Sequence, residues 1–371
     1  MQLNHSRRAM STTVAGVIVI AIIVIAAGAT YAYVLTGKPS ATSSTSATSA
    51  ALTPVSIAMG QASVQEPLYN IAVNQSFFAQ EGLAVTPQIF SSGSAEDSSV
   101  ASGAAVLGVT GGTPFESMVT GGVPIVALAQ LNYATAYHFL IVKKSLNVTT
   151  PQQLEGLTLG LTFSSDSQYI INAMFTAVGL NNTQISKIKL VNLAPNSLIS
   201  AYKEGQIDGI AFLWSPFIQE AEAQVPSTVL AQNNETYFGG HVQAFPQGQV
   251  SSIIFASQAF AAAHPSIVQD YLRAMMKAQA YFNANRTQAL TIVSQAEKIP
   301  VSTLNQYLGT GTTYTIEVNH AWLNILQNEI GVMYGLGVFK TSVNITDYIY
   351  STPLAQIAPS RVTANGGYTP S

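Results

Sequence analysis

Short β-rich segments alternate with helical patterns along most of this 371-residue chain. This alternation is typical of α/β folds built on parallel strands. In a first run the patterns predict strands over Val55–Met59, Leu83–Phe90, Ala104–Val109 and Ile125–Gln130, and a helix over Pro67–Gln80. In a second run they predict strands over Leu157–Thr162, Ile188–Leu193, Gly209–Leu213 and Val250–Ala256, and helices over Ser167–Val178 and Ser197–Glu204. Beyond Ala256 the pattern is helical, with a helix that Pro265 begins.

The N-terminal segment predicts where the rest of the chain works. Arg7 and Arg8 precede an uncharged apolar run, Val14–Leu35. About 20 apolar residues cross the ~30 Å hydrocarbon core of a bilayer, and the arginines favour a cytoplasmic N-terminus. We therefore predict a transmembrane anchor or leader over residues 1–36, followed by a flexible Ser/Thr-rich tether over residues 37–53.

Two other interpretations of this segment remain open. One is a cleaved signal peptide, although the run is longer than the roughly 7–15 residues usual for that role. The other is an archaeal-type membrane anchor, since the layout resembles pilin-type leaders that are processed near Arg8-Ala9. Each alternative places the remaining body outside the cytoplasm, at the cell surface.

The charge and cysteine content exclude several classes of function. All 17 acidic residues and 11 of the 14 basic residues follow the tether, so the body carries a formal charge of 11 − 17 = −6. Nucleic acid is not a predicted partner, because binding it requires a clustered basic surface. The absence of cysteine excludes disulfides, thiolate metal sites and iron–sulfur clusters. Six sequons make the body a candidate glycoprotein: Asn74, Asn147, Asn181, Asn234, Asn285 and Asn344.

Motifs of catalysis are lacking. The chain has no Gly-x-Ser-x-Gly elbow, phosphate loop, His-Glu-x-x-His motif or dinucleotide fingerprint. Glu96-Asp97 and Glu220 with Glu222 are carboxylate pairs, and the second pair is typical of a solvated helix face. We therefore predict no enzyme activity, no catalytic residues, no metal site and no cofactor.

Four ordered segments carry a resemblance to a known family. They are Ser76–Val85 (SFFAQEGLAV), Val148–Leu161 (VTTPQQLEGLTLGL), Gly205–Gly209 (GQIDG) with Pro216, and His264–Ala280. In order and spacing they resemble the solute-binding proteins of ABC importers, in the branch for nitrate, sulfonates, taurine, bicarbonate and thiamine-precursor pyrimidines. The resemblance runs from about Val55 to about Leu354. It departs at Gly103–Val106, where an expected acid is missing, and at Ser76, where the family pattern has glycine.

The resemblance implies a type II periplasmic-binding-protein-like α/β fold with two lobes and a hinge of two crossing strands. Lobe one is expected over residues 55–137 and 247–354, lobe two over residues 138–246, and a C-terminal tail over residues 355–371. The crossing strands are expected near His138–Lys143 and Phe245–Ile254. The implied partners are a small-molecule solute, an ABC permease with its ATPase, and the membrane through the N-terminal helix.

A ligand-binding cleft is predicted where loops follow the carboxyl ends of strands, as in other open α/β sheets. Glycine lets backbone N–H groups approach a ligand, hydroxyls donate hydrogen bonds, and an aromatic ring covers an apolar body. The candidate binding residues are Gln61, Ser63, Ser92, Gly93, Thr110, Gly112, Thr113, Ser164, Ser165, Asp166, Asn196 and Trp214. The alternative for each is an ordinary turn or helix cap.

The charge of the ligand stays open at this point. No arginine or lysine lies in these loops, so an anion would be bound by backbone and hydroxyl groups alone, or the ligand is neutral. Asp166 suits a cationic amine, such as that of taurine, or else serves as a helix N-cap. Tyr133, Tyr137, His138 and His241 lie near the predicted crossings and line the cleft or pack in the hinge, with a structural role favoured for His138. Trp322 is predicted to lie in the core.

The sequence therefore predicts an extracytoplasmic receptor that captures a small solute and delivers it to a permease. The alternative is a ligand-sensing or surface-envelope module that uses the same fold. The identity of neighbouring genes would discriminate between the two, because a permease and an ATPase accompany transport.

Overall fold

The protein is described by a computed structural model covering residues 51–61, 63–309 and 311–370. The predicted anchor or leader, residues 1–36, and the predicted tether up to residue 50 lie outside the described residues. The first strand begins at Thr53, the last residue of the predicted tether. Within the described residues, no helix is both long and apolar enough to cross a bilayer.

The described residues form thirteen strands. These are β1 (Thr53–Gly60), β2 (Leu83–Phe90), β3 (Leu107–Gly111), β4 (Ile125–Ala134), β5 (His138–Lys143), β6 (Thr158–Leu161), β7 (Lys189–Asn192), β8 (Gly209–Trp214), β9 (Ser227–Gln232), β10 (Glu235–Thr236), β11 (Gln243–Ala244), β12 (Val250–Ser257) and β13 (Thr312–Glu317).

The same residues form fourteen α-helices. These are α1 (Glu66–Asn74), α2 (Phe77–Gln80), α3 (Gly93–Ala101), α4 (Gly112–Thr120), α5 (Asp166–Ala177), α6 (Asn182–Ile185), α7 (Pro195–Glu204), α8 (Phe217–Gln224), α9 (Gln258–Ala263), α10 (Pro265–Ala284), α11 (Arg286–Glu297), α12 (Val301–Leu308), α13 (His320–Gly335) and α14 (Thr352–Ile357).

The strands make two mixed sheets. The first sheet has the spatial order β13-β4-β12-β3-β1-β2, in which β1 runs parallel to β2 and β3, and β12 runs antiparallel to β3 and β4. The second sheet has the order β11-β10-β9-β5-β8-β6-β7, in which β6 is parallel to β7 and β8. Every residue of β3 is buried, as expected for a parallel strand that helices cover on both faces.

Two short segments join the sheets. The chain leaves the first sheet after Ala134 and enters the second at His138; it leaves the second after Ala244 and re-enters the first at Val250. The first predicted crossing range, His138–Lys143, is strand β5 of the second sheet. The second, Phe245–Ile254, begins in the returning segment and ends in β12 of the first sheet. The lobe boundaries remain a prediction; apart from the first two residues of β1, each strand lies in the lobe range predicted for its sheet.

Asn233 connects the two crossings. Its Oδ1 accepts hydrogen bonds from the backbone N–H groups of Tyr137 at 2.9 Å and His138 at 2.7 Å. Its Nδ2 donates to the carbonyl of Gly248 at 3.3 Å, on the returning crossing. Asn233 is fully buried, so one side chain satisfies backbone groups of both crossings away from water.

Helix α10 shows how the periodicity of the sequence builds the core of the first sheet. Val268, Tyr271, Leu272 and Met275 are fully buried, as their helical spacing predicts. The ring of Tyr271 stacks on Phe78 of α2, with 5.6 Å between the ring centroids. Trp322 of α13 is buried as predicted, and its Nε1 donates to Ser251 Oγ at 3.1 Å.

Two expectations about elements are wrong, and three strands were not predicted. The single helix predicted over residues 67–80 is two helices, α1 and α2, because Ser76 between them adopts a left-handed conformation with φ of 57°. The pattern beyond Ala256 is not wholly helical, because β13 pairs with β4 at the edge of the first sheet. Strands β9, β10 and β11 were not predicted; β9 pairs with β5, and β10 pairs with β9 and β11.

The described part of the predicted C-terminal tail packs on the body. Val362 bridges to Val318 in a parallel β-bridge, and the Gly366 N–H donates to Ser351 Oγ at 3.0 Å. The ring of Tyr368 lies against Tyr350, with 5.6 Å between the ring centroids.

Candidate functional site

A cavity of about 210 Å³ lies where strands of both sheets end. Its lining comes from the loops after β1, β2 and β3 of the first sheet and β6, β7 and β8 of the second, with additions from the first crossing and β12. The lining residues are Gly60, Gln61, Ser63, Val64, Gln65, Phe90, Ser91, Ser92, Gly93, Glu96, Gly111, Pro114, Tyr137, His138, Ser165, Asp166, Ala194, Pro195, Asn196, Trp214, Phe217 and Ser252.

Polar side chains of the loop after β1 form hydrogen bonds within that loop. Ser63 Oγ donates to the carbonyl of Gly60 at 3.2 Å and accepts from the N–H of Gln65 at 3.1 Å. Gln65 Oε1 accepts from the N–H of Gly60 at 2.7 Å. Because Ser63 and Gln65 are occupied in this way, their first role is to fix the shape of the loop.

Helix α3 brings Glu96 to the cavity wall. Glu96 is 2% exposed, and its Oε2 has no hydrogen-bond partner among the described residues. Burial raises the pKa of Glu96 well above its usual range, and the neighbouring charge of Asp97 raises it further. A Cβ on Gly60 would lie 2.9 Å from Glu96 Oε1, so glycine at the end of β1 leaves the room that this carboxyl group occupies.

Asp166 of the second sheet meets the first sheet at the edge of the cavity. Its Oδ1 accepts a hydrogen bond from the Thr113 backbone N–H at 3.1 Å, and its Oδ2 would lie 2.6 Å from a Cβ on Gly111. Burial raises the pKa of Asp166 to about 6. The N-cap of α5 is Ser165, whose Oγ accepts from the Ser167 N–H at 3.2 Å. Asp166 is therefore not the cap.

Aromatic residues form the wall of the cavity on the side of the second sheet. Trp214 ends β8, and its ring packs edge-on against Phe217 and His138, at 5.9 Å and 6.2 Å between the ring centroids. The Trp214 Nε1 is buried without a hydrogen-bond partner among the described residues. Burial lowers the pKa of His138 to about 3, so this ring is neutral, and its Nδ1 lies 3.2 Å from Asn233 Nδ2.

Two further carboxyl groups lie behind the wall near Asp166. Glu116 of α4 and Glu329 of α13 are fully buried, and Thr113 Oγ1 donates to Glu329 Oε2 at 3.2 Å. Burial raises the pKa of both groups well above the usual range; the charge of Glu329 adds to the effect on Glu116, and that of Asp166 to the effect on Glu329. Burial therefore favours the neutral, protonated form of both carboxyl groups.

The structure brings eight of the twelve predicted binding residues to the cavity. They are Gln61, Ser63, Ser92, Gly93, Ser165, Asp166, Asn196 and Trp214. The other four, Thr110, Gly112, Thr113 and Ser164, are not among the lining residues. Thr113 instead contacts Asp166 and Glu329 through its N–H and hydroxyl groups. The Ser164 N–H donates to Gln168 Oε1 at 2.8 Å.

Sequence reasoning missed several lining residues, of which Glu96 and Phe90 matter most chemically. Phe90 is the last residue of a correctly predicted strand, and Glu96 lies in the first turn of α3, three residues after the predicted binding residue Gly93. The strand end and the helix spacing could therefore have indicated both. Of the four residues near the predicted crossings, Tyr137 and His138 line the cavity, whereas Tyr133 and His241 are not among its lining residues.

In the described part of the chain, the cavity is lined by acidic side chains without basic ones. Its described lining residues include Glu96 and Asp166 and no lysine or arginine. Within the described residues, no group of three or more histidine, aspartate or glutamate side chains is placed to bind a metal ion. The cavity can thus offer a ligand carboxyl oxygens, hydroxyl groups, backbone amides and aromatic faces.

Comparisons with known proteins agree with this architecture. The family model described as NMT1/THI5 like matches residues 66–289. The taurine-binding periplasmic protein of Escherichia coli (strain K12) is 25% identical over 231 residues, which are 62% of this chain and 68% of that protein.

Solved structures show the same fold at low sequence identity. The alkanesulfonate-binding protein SsuA from Xanthomonas axonopodis pv. citri, bound to MOPS, superposes with a TM-score of 0.68 at 16% identity, covering 80% of this chain and 98% of that chain. The periplasmic nitrate-binding protein NrtA from Synechocystis PCC 6803 gives a TM-score of 0.66 at 14% identity, covering 85% and 92%. The predicted periplasmic-binding-protein-like α/β fold is confirmed.

One structural neighbour is named an enzyme. The desulfurization enzyme DSZB gives a TM-score of 0.58 at 10% identity and covers 83% of this chain and 99% of that chain. At this identity the likeness shows the fold alone. The relatives found by sequence are named as binding proteins.

Proposed function

Because the chain belongs to the NMT1/THI5-like family, we propose that it is the solute-binding protein of an ABC importer. In this proposal it captures a small solute of the sulfonate, taurine, nitrate or thiamine-precursor type outside the cytoplasm. It then delivers the solute to a membrane permease that an ATPase drives. No catalytic step is part of the proposal.

The cavity between the two sheets is the observation that carries the proposal. Loops from both sheets line it, and within the described residues two short segments connect those sheets. A ligand that contacts both walls favours the closed arrangement, whereas a ligand that contacts one wall leaves the equilibrium unchanged. Closure on a solute is the event that a permease would recognise.

The N-terminal region completes the proposal for location. The apolar run Val14–Leu35 would hold the chain at the cell surface. The predicted tether, shortened to Gly37–Leu52 because β1 begins at Thr53, would have a root-mean-square span of about 20–25 Å as a random coil. That span allows the body to reach a neighbouring permease.

Thermal unfolding of the full chain in mild detergent tests this function. The panel is taurine, an alkanesulfonate, nitrate, bicarbonate and a thiamine-type pyrimidine, each added after unfolding and refolding to remove any bound ligand. A ligand at about 100 times its Kd stabilises the folded state by about 2.7 kcal/mol. A saturable shift with one class supports the proposal and identifies the solute class. If no compound shifts the melting temperature, the importer function loses its support.

Variants then test whether the ligand-induced shift in melting temperature comes from binding in the cavity. Trp214→Ala removes an aromatic wall, so it should abolish the ligand-induced shift. Tyr334→Ala, at a half-exposed position outside the cavity lining, is the control that should keep it. Transport by a reconstituted permease then separates an importer component from a sensory or envelope module, since such a module would bind the ligand without supporting transport.

A further inference from the structure

The charges that face the cavity narrow the chemistry of its ligand. An oxyanion such as a sulfonate is commonly bound by arginine or lysine, and the described lining residues include neither. They do include two carboxyl groups, Glu96 in α3, which follows β2 of the first sheet, and Asp166 in α5, which follows β6 of the second. The cavity therefore presents acids where an anion would require cations.

Glu96 is the group that points to a ligand. Its side chain is almost completely buried, yet Oε2 forms no hydrogen bond of normal geometry among the described residues, although the Thr110 hydroxyl group lies close enough to affect its ionisation. A buried carboxyl oxygen left without a donor costs free energy, unless a ligand supplies the missing hydrogen bond. Oε1 faces the end of β1 at Gly60, so the group is held by packing at the cavity wall.

Asp166 and the aromatic residues supply the rest of a cation site. Asp166 uses Oδ1 to accept from Thr113, which leaves acceptor capacity on the carboxyl group. Trp214 and Phe90 line the same cavity, and aromatic faces attract cations. An ammonium group donates three hydrogen bonds and carries the charge that these acceptors and faces favour.

We propose that this cavity selects solutes that carry a protonated amine, with the ammonium group held between Glu96 and Asp166, and that it does not require an anionic group on the ligand. The inference rests on the proposed solute-binding function and assigns the solute class of that same site. It separates this chain from a receptor for simple sulfonates or nitrate.

The groups around Glu96 make the binding depend on pH. Burial raises the pKa of Glu96 well above its usual range; Asp97 on its own helix, Asp166 in α5 and Glu66 at the start of α1 raise it further, and the Thr110 hydroxyl group lowers it. A proton therefore competes with an incoming ammonium group for this carboxyl group, so affinity for an amine should rise with pH. Affinity for a sulfonate that accepts a hydrogen bond from the protonated acid should fall.

Three small probes that share functional groups in pairs test the proposal. Ethanolamine has an ammonium and a hydroxyl group, isethionate has a hydroxyl and a sulfonate group, and taurine has an ammonium and a sulfonate group. Each is titrated into the refolded full chain by calorimetry between pH 5 and pH 8. Binding of ethanolamine and taurine that strengthens with pH, without binding of isethionate, is the expected result.

The other outcomes separate this proposal from the proposed function. Binding of isethionate and taurine without ethanolamine overturns the amine specificity and leaves the solute-binding function intact. The amine specificity also fails if none of the three binds while another compound of the thermal panel does. If nothing in either set binds, both proposals fail.

Two variants locate the ammonium group. Glu96→Gln keeps the size of the side chain and removes its charge, so it should weaken ethanolamine binding by at least about tenfold. Asp166→Asn retains an oxygen acceptor for Thr113 and should also weaken binding, which keeps the test valid if Glu96→Gln fails to fold. Glu297→Gln changes a half-buried acid outside the cavity lining and should change affinity by less than about twofold. Equal affinities in all three variants would overturn the assignment.

Discussion

Asp166 of the second sheet accepts a hydrogen bond from the Thr113 backbone N–H of the first sheet, with 3.1 Å between Oδ1 and N. This bond joins the start of α5 to the start of α4 at the edge of the cavity. Its acceptor is an acid whose pKa burial raises to about 6. The contact between the two walls of the site is therefore sensitive to pH within the physiological range.

The first prediction concerns stability against pH. The pKa of Asp166 rises on folding from about 3.8 to about 6, so the folded state binds this proton more tightly than the unfolded state. The stability from the protonated form is complete below pH 4 and is lost as the pH rises to 6. The free energy of unfolding of the wild type should therefore fall between pH 4 and pH 7 by about 1–3 kcal/mol more than that of Asp166→Asn, which cannot titrate at this position. Urea unfolding at the two pH values measures both. Identical pH profiles would contradict the shifted pKa.

The second prediction concerns the connection between the crossings. A Cβ on Gly248 would lie 1.5 Å from the carbonyl oxygen of Asn233, so Gly248→Ala must displace backbone. We expect a loss of about 3 kcal/mol or more in the free energy of unfolding. Gly331→Ala in α13 is the matched control, because nothing lies within 4 Å of its Cβ. It should be neutral or stabilising by up to about 1 kcal/mol. Similar values for the two variants would show that this crossing tolerates a side chain.

The third prediction concerns Glu81, in a motif that carries the family resemblance. Its Oε2 lies 2.9 Å from Arg273 Nε and its Oε1 lies 2.7 Å from Lys277 Nζ, both on α10. Glu81→Gln should cost about 1 kcal/mol or less, because both cations are more than a third exposed. The loss should shrink in 1 M NaCl, measured by chemical denaturation. Glu155→Gln, which removes an exposed pair with Lys187, is the control with a smaller effect; a larger one would contradict the ranking.

The fourth prediction concerns Ser76, where the family pattern has glycine. Ser76 has a φ of 57°, a conformation that costs free energy for a residue with a Cβ. Ser76→Gly should therefore stabilise the protein by about 0.5–1 kcal/mol. The same change at exposed Ser200, inside helix α7, should destabilise it by a similar amount. Melting temperatures of the two variants should move in opposite directions, and a decrease in both would refute the argument.

Local patterns were enough to predict most of the α/β order and many of the residues that line the cavity. The runs of apolar and β-branched residues that became β1, β6 and β8 are mostly buried in the sheets, and periodicity indicates such runs directly. Eight predicted residues line the cavity because loops at the carboxyl ends of strands gather at one edge of a sheet. Gly179 and Gly205 follow helices in left-handed conformations, as glycine near a helix end suggests.

The tertiary structure alone decided which way individual side chains turn and which strands lie at the edges. Thr113 lies in a predicted loop, but the contact of α4 with Asp166 and Glu329 takes its polar groups out of the cavity lining. Glu96 reaches the wall because Gly60 leaves space for its carboxyl group. Residues Thr312–Glu317 form strand β13 because they pair with the free edge of β4. These outcomes depend on contacts between residues far apart in the chain, whereas periodicity and turn preferences act over a few neighbouring residues. The amino-acid order therefore determined the layers and the location of the cleft, and long-range packing determined its chemistry.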